Sequence, residues 1–218
     1  MDKLLIFFLG ASLGSFIGLV VDRFPEASII KPRSHCNHCQ QILASRDLIP
    51  IVSQIFNRFS CRFCGVRTPL TYCLLEASCG LSLLLGWLGI LNWTQVFLLL
   101  LSLTLSLYDL KSHEYPLIIV ILAGLVLLPF YPINSPSLCL FLLGLLAQLF
   151  SFGIGAGDFY YLALLALTLD FRSTIWLLQM GSLLAIFFFL KTKRRKKALA
   201  FLPFLSLAYM LELILMMT

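Results

Sequence analysis

Two aspartates stand at the ends of long apolar runs, where an acid is costly. Asp109 closes one run beside Tyr108, and Asp158 opens another behind Gly155-Ala156-Gly157. Ionisable side chains in or beside hydrocarbon mark working sites by default. Two carboxyls that meet can take a proton from water and present one to a carbonyl. Only ten residues of the chain are acidic, so both positions carry weight. Asp158 also suits a helix N-cap. The glycines before it, Gly155 and Gly157, let a backbone pass close by or take positive φ, and an extended peptide bound there would use that freedom. Asp109 falls at a predicted helix C-terminus, where the dipole disfavours negative charge. Its alternative role is a solvated edge acid paired with Lys111.

A second group sits between the first two apolar runs. Cys36-Asn37-His38-Cys39 and Cys61-Arg62-Phe63-Cys64 are CxxC pairs separated by 21 residues. Each CxxC turn aims two thiolates at one point, and two turns close a tetrahedron around an ion. A loop this small and polar lacks a core of its own, so a structural zinc would supply stability. Two disulfides or a redox pair would use the same residues; a cytoplasmic placement favours the metal. Four thiolates leave no open coordination position, so the site is structural. His35 and His38 lie alongside as loop residues or outer-shell donors. Cys73, Cys79 and Cys139 fall in apolar runs and read as small packing residues.

The elements that must position these residues are membrane helices. The 218 residues are 60% hydrophobic and 12% charged, with mean hydropathy +0.97. That composition excludes an ordinary soluble domain. The fold class is all-α and polytopic, with eight apolar segments at roughly 4–22, 73–91, 95–109, 117–131, 137–152, 158–169, 174–190 and 198–217. The first lacks a basic region ahead of it and is interrupted by Gly14-Ser15, so a retained helix is expected. Residues 1–22 are expected to form the first transmembrane helix. Residues 23–72 form a cytoplasmic four-cysteine loop, and 73–218 a membrane core.

Basic residues test that topology. With the N-terminus outside, the loop 23–72 lies inside with seven of them. Lys111 follows, and six more occupy Lys191 to Lys197. Only Lys3 and Arg172 of the sixteen remain outside. The net charge of +6 therefore follows topology and a lipid surface, not nucleic acid. Asp109 and Asp158 both fall on the cytoplasmic side. Glu76 reads as a structural residue that snorkels or pairs with Arg67. Asp170 and Glu212 read as end residues of the outer face, and His113 as a solvated loop residue.

Four features in order resemble the bacterial type IV prepilin peptidases: Gly14-Ser15-Phe16-Ile17 with Arg23-Phe24-Pro25, the paired CxxC loop, Asp109-Leu110 with Pro116, and Gly155-Ala156-Gly157-Asp158. The small competence-type peptidases resemble the chain in size. The resemblance implies an aspartic endopeptidase with Asp109 and Asp158 as its catalytic pair. It would cut the short cationic leader from prepilins or pseudopilins at the cytoplasmic face of the cell membrane. Asp22, Glu26 and Asp47 are acids that such a leader could meet. The resemblance also implies a second activity of many members, methylation of the new N-terminus from S-adenosylmethionine. This chain carries Gly18 where the family commonly has Asn, Tyr115 where it has Ile, and Tyr160 where it has Lys. Two other classes use the same residues differently. An ion-coupled transporter would make the aspartates ion sites, and a zinc-anchored scaffold of pilus or secretion assembly would need the cysteines alone. Oligomeric state is not legible.

Overall fold

The computed structural model describes residues 1–150, 155–192 and 199–217. Of the basic cluster, residues 193–197 lie outside the described residues. Helices dominate: α1 (Asp2–Arg23), α2 (Val52–Phe56), α3 (Leu70–Trp87), α4 (Trp93–Ser112), α5 (Leu117–Leu127), α6 (Ser135–Phe150), α7 (Ala156–Thr168), α8 (Phe171–Thr192) and α9 (Leu202–Met217). Each of the eight expected segments holds one helix. Four of them, α1, α3, α4 and α8, are long and apolar enough to cross a membrane; α5, α6, α7 and α9 are shorter apolar helices. Among the described residues, hydropathy did not suggest two short helices in the cysteine loop: the single turn α2 and a 3-10 turn at Ser45–Leu48.

The chain divides into two compact units, Met1–Leu100 and Leu101–Thr218. In the first, α1 lies along α3 on a spine of small residues. A Cβ at Gly10 would stand 2.6 Å from the Cys79 carbonyl oxygen, and one at Gly14 would stand 2.9 Å from Glu76 Cα. From the other side, a Cβ at Gly80 would meet the Phe7 ring at 2.8 Å. Lipid tails give helices no hydrophobic reason to associate, so close backbone approach through small residues does the holding. Gly18, the motif position that commonly carries Asn, faces the Tyr72 ring along the same spine. Gly89 ends α3 in the left-handed region at φ +72, which a residue with a Cβ enters at a cost.

Glu76 joins the cysteine loop to this helix pair. It is 5% exposed. Its Oε2 accepts the Ile51 backbone N–H at 2.7 Å and the Gln54 amide at 2.8 Å, and the Ser15 hydroxyl bonds it too. Ile51 has φ +63, an outlier for a β-branched residue, and the bond to Glu76 holds it there. Glu76 thus serves a structural role with partners other than Arg67, 25 and 22 residues away in the chain.

In the second unit, α6 packs on α7 through matched polar contacts. Asn134 Nδ2 donates to the Ala166 carbonyl at 2.6 Å, and Ser137 Oγ donates to the Ala163 carbonyl at 2.9 Å. Tyr160 Oη donates to Gln148 Oε1 at 2.7 Å. Its ring fills the space where a Cβ on Gly144 would lie 2.7 Å away. The position that commonly carries Lys is therefore an interhelical packing contact here. Packing of α8 on α9 uses Gly181 against Leu205 and the Phe188–Phe204 ring pair at 5.4 Å.

Two substitutions test these contacts. Gly14→Val should cost about 1–3 kcal/mol through overpacking. Glu76→Ala should cost a similar amount, about 1–3 kcal/mol, by orphaning buried donors, and Glu76→Gln should cost less. Thermal unfolding in detergent reads both; wild-type melting of Glu76→Ala would remove the latch.

Candidate functional site

One face of α4 carries the first acid. Ser102, Ser106 and Asp109 recur at helical spacing, and all three are buried. Each meets a neighbouring helix. The Tyr161 hydroxyl of α7 donates to Ser102 Oγ at 2.6 Å, and Ser106 Oγ donates to Ser206 Oγ of α9 at 3.0 Å. Asp109 Oδ2 accepts the Leu202 backbone N–H, at the start of α9, at 2.9 Å. Asp109 is 8% exposed. The solvated edge acid is thereby excluded: Asp109 satisfies an orphan donor at the N-terminus of a helix 93 residues away.

Asp158 lies in the first turn of α7, and the N-cap is Gly155 at φ −63. This corrects the capping expectation by one turn. A carboxylate in the first turn still faces the positive end of the helix dipole. The glycines also act differently from expectation. Gly155 has an ordinary negative φ, and Gly157 is absent from the described glycines with positive φ, Gly65 and Gly89. Gly157 is needed for close approach: a Cβ there would sit 2.7 Å from Tyr115 Cε1. Gly155 is exposed, and a Cβ on it would meet only its own turn, at Asp158 Oδ2, 3.4 Å away.

Asp109 and Asp158 belong to one compact unit. Asp158 lies within electrostatic reach of Asp109, half-buried on the α7 face that also carries Tyr161. Two residues join them that sequence reasoning left aside. Tyr115 feels both carboxyls. His113, at φ +57, donates its backbone N–H to the Asp109 carbonyl at 3.0 Å and lies within electrostatic reach of the Asp109 carboxyl. Their short spacing from Asp109 was the only signal. Glu212 is not a surface residue: it is 5% exposed on α9, bonded by the Ser173 side chain, with Oε2 unpartnered.

Cys36, Cys39, Cys61 and Cys64 converge. Their sulfurs all lie within 4.8 Å of one another, with Cys36–Cys64 at 3.9 Å and Cys39–Cys61 at 4.0 Å. Tetrahedral bonds of about 2.3 Å to zinc imply edges of about 3.8 Å, so the donor set fits. A disulfide needs about 2.05 Å, and all seven cysteines are free thiols. The two turns are built alike. Cys36 N donates to the Gln41 carbonyl and Gln40 N to the Cys36 carbonyl; Cys61 N donates to the Val66 carbonyl and Gly65 N to the Cys61 carbonyl. The residue after each CxxC is left-handed, Gln40 at φ +58 and Gly65 at φ +71.

Backbone N–H groups of Cys39 and His38 hold the Cys36 thiol down at about 6. Cys64 is pushed up to about 11: the Val66 N–H pulls it down, but desolvation and the three neighbouring sulfurs outweigh that pull. One thiolate forms readily and a second is opposed by the first, the condition a bound cation relieves. Arg62 pairs with Asp47 at 3.2 Å, and Asp22 accepts the Tyr72 hydroxyl at 2.6 Å. Two of the three acids considered for a cationic leader are thus engaged internally.

These features define a class: a multi-pass helical membrane protein with buried carboxyls at helix ends and a four-thiol, metal-competent loop. Residues 8–90 match the family model for the bacterial peptidase A24 N-terminal domain. The chain is similar to a prepilin leader peptidase/N-methyltransferase of Myxococcus xanthus (strain DK1622), 31% identical over 82% of this chain and 59% of that protein. It is also similar to a protein of that description from Bacillus subtilis (strain 168), 41% identical over 31% of this chain and 28% of the relative. A third, from Escherichia coli O78:H11, is described as a type 4 prepilin-like proteins leader peptide-processing enzyme; it is 32% identical over 35% of this chain and 36% of its own length. The resemblance to the bacterial type IV prepilin peptidase family is borne out. The chain spans about 59% of the length of the Myxococcus relative. No solved structure matches it.

Cys61→Ser should reduce bound zinc from about one ion per chain toward none by elemental analysis. Because binding requires thiolates, protons compete for the site and zinc affinity should weaken steadily as pH falls. Gln40→Gly should stabilise the first turn by about 1 kcal/mol by removing the left-handed penalty, read as slower zinc loss to a chelator.

Proposed function

We propose that the chain is a membrane-embedded aspartic endopeptidase that cuts the leader from prepilins or competence pseudopilins at the cytoplasmic face. What supports this reading is that Asp109 and Asp158 lie at helix ends within one compact unit, within electrostatic reach of each other. The names of the relatives supply the substrate class. Residues 73–218 would form the catalytic core.

In this mechanism one carboxylate takes a proton from water while its partner, protonated, polarises the scissile carbonyl. Like charges at close range oblige the pair to share one proton. Water attacks the peptide carbon, the proton passes to the leaving amine, and no acyl-enzyme forms. The Leu202 N–H on Oδ2 orients the Asp109 carboxyl. Of the two glycines assigned to substrate, Gly155 is exposed, while the Tyr115 ring occupies the space beside Gly157. The ion assigned to the four thiols is zinc, closed and structural; it holds the loop and takes no part in hydrolysis. Methylation of the new N-terminus from S-adenosylmethionine comes to this chain on the names of the relatives alone.

Asp109→Asn and Asp158→Asn should each lower cleavage of a co-expressed prepilin by about a thousandfold or more, with insertion unchanged. Mass analysis of the processed N-terminus reports the cut and any added methyl together. Wild-type cleavage by either variant would remove that residue from the mechanism.

A further inference from the structure

We propose that Tyr115 is a positioning residue for the carboxyl pair, holding the Gly155–Asp158 turn at a set distance from the end of α4. The inference rests on the reading of Asp109 and Asp158 as that pair.

Tyr115 stands six residues after Asp109, in the turn between α4 and α5. That turn is braced: His113 N bonds the Asp109 carbonyl at 3.0 Å, Ser112 Oγ bonds the Glu114 carbonyl at 2.8 Å, and Pro116 caps α5. From this fixed base the phenol reaches across 42 residues of sequence and donates to the Gly157 carbonyl at 2.6 Å. The phenol end of the ring lies against Gly157. A Cβ at that position would stand 2.7 Å from Cε1, 2.9 Å from Oη and 3.0 Å from Cζ. Both carboxyls act on the phenol, Asp158 more strongly than Asp109. One side chain therefore belongs to the turn that follows the first acid and grips the residue just before the second. An aliphatic residue at 115 would fill space there but could donate no hydrogen bond, so this chain sets the spacing by a directional contact.

Placement errors of about 1 Å at a reacting centre cost up to about a hundredfold in rate. In the full-length protein, with a prepilin precursor as probe, Tyr115→Phe keeps the ring and removes only the donor. It should lower kcat per folded protein by about tenfold while KM stays within about twofold. Tyr115→Ile should lower kcat at least as far. Gly157→Ala alone should also lower kcat, because its methyl meets the ring. In the Tyr115→Ile background the same change should add little, since the obstruction is gone. Melting temperature in the same detergent normalises each rate to folded protein.

Wild-type kcat in Tyr115→Phe, a loss confined to KM, or fully additive losses in the double variant would each overturn the role of Tyr115. Asp109→Asn and Asp158→Asn are measured alongside. If those two still cleave, the catalytic pair itself falls. If they are inactive while Tyr115→Phe is normal, only the positioning role falls.

Discussion

Buried polar groups surrounded by hydrocarbon have to find partners inside the protein, and one stripe of α4 concentrates that demand. Ser102, Ser106 and Asp109 cannot turn to water, so they draw in Tyr161, Ser206 and the Leu202 N–H. The two hydroxyl contacts are ordinary interhelical hydrogen bonds, worth about 0.6 kcal/mol each on average in a bilayer. Their value is directional. They fix the rotation of α4 against α7 and α9, and rotation decides which way Asp109 faces. Asp158 shares the α7 face with Tyr161, so the contact that seats Ser102 also turns the second acid inward. The inward rotation of Asp109 follows from where hydroxyls were placed one and two turns away.

Much of this was legible beforehand, for identifiable reasons. Apolar runs are long and interrupted by turn residues, so all eight major helices were found, with ends off by a few positions. The CxxC spacing carries its own geometry, and four sulfurs do meet. The aspartates stood out because acids are rare in such surroundings. What escaped notice depends on long-range partners. Nothing near Asp109 announces a donor 93 residues later. Glu76 looked able to reach Arg67 because sequence neighbours are visible and Ile51 is not. Glu212 looked peripheral because the topology put it near the outer face, yet it is buried. Gly157 suggested backbone freedom, whereas it makes room for the Tyr115 ring. A glycine has both uses, and only the neighbour across the gap tells them apart.

The cysteine loop shows the same economy in another setting. Two short turns with the same hydrogen-bond pattern supply the donors, and the Asp47–Arg62 pair links one turn to the segment after the other. A single, partly exposed pair of this kind adds modest stability, so the four-thiol site is the cross-link that matters there. Glu76 then ties the loop to α1 and α3 through α2. Four-thiol site, latch and glycine spine form one continuous chain of support within the first unit.

The brevity of α5 and α7 has a consequence for the lipid. Eleven and thirteen residues rise about 16 and 20 Å, against a hydrocarbon slab about 30 Å thick. Acyl chains beside α5, whose outer face is exposed, must compress or admit headgroups to meet it, at a fraction of a kcal/mol per Å. Residues Tyr160 to Leu167 of α7 are all buried, so the annulus is thinnest beside α5. Acyl-chain length in the host membrane therefore becomes a tuning variable for how readily water and an incoming segment reach the acids.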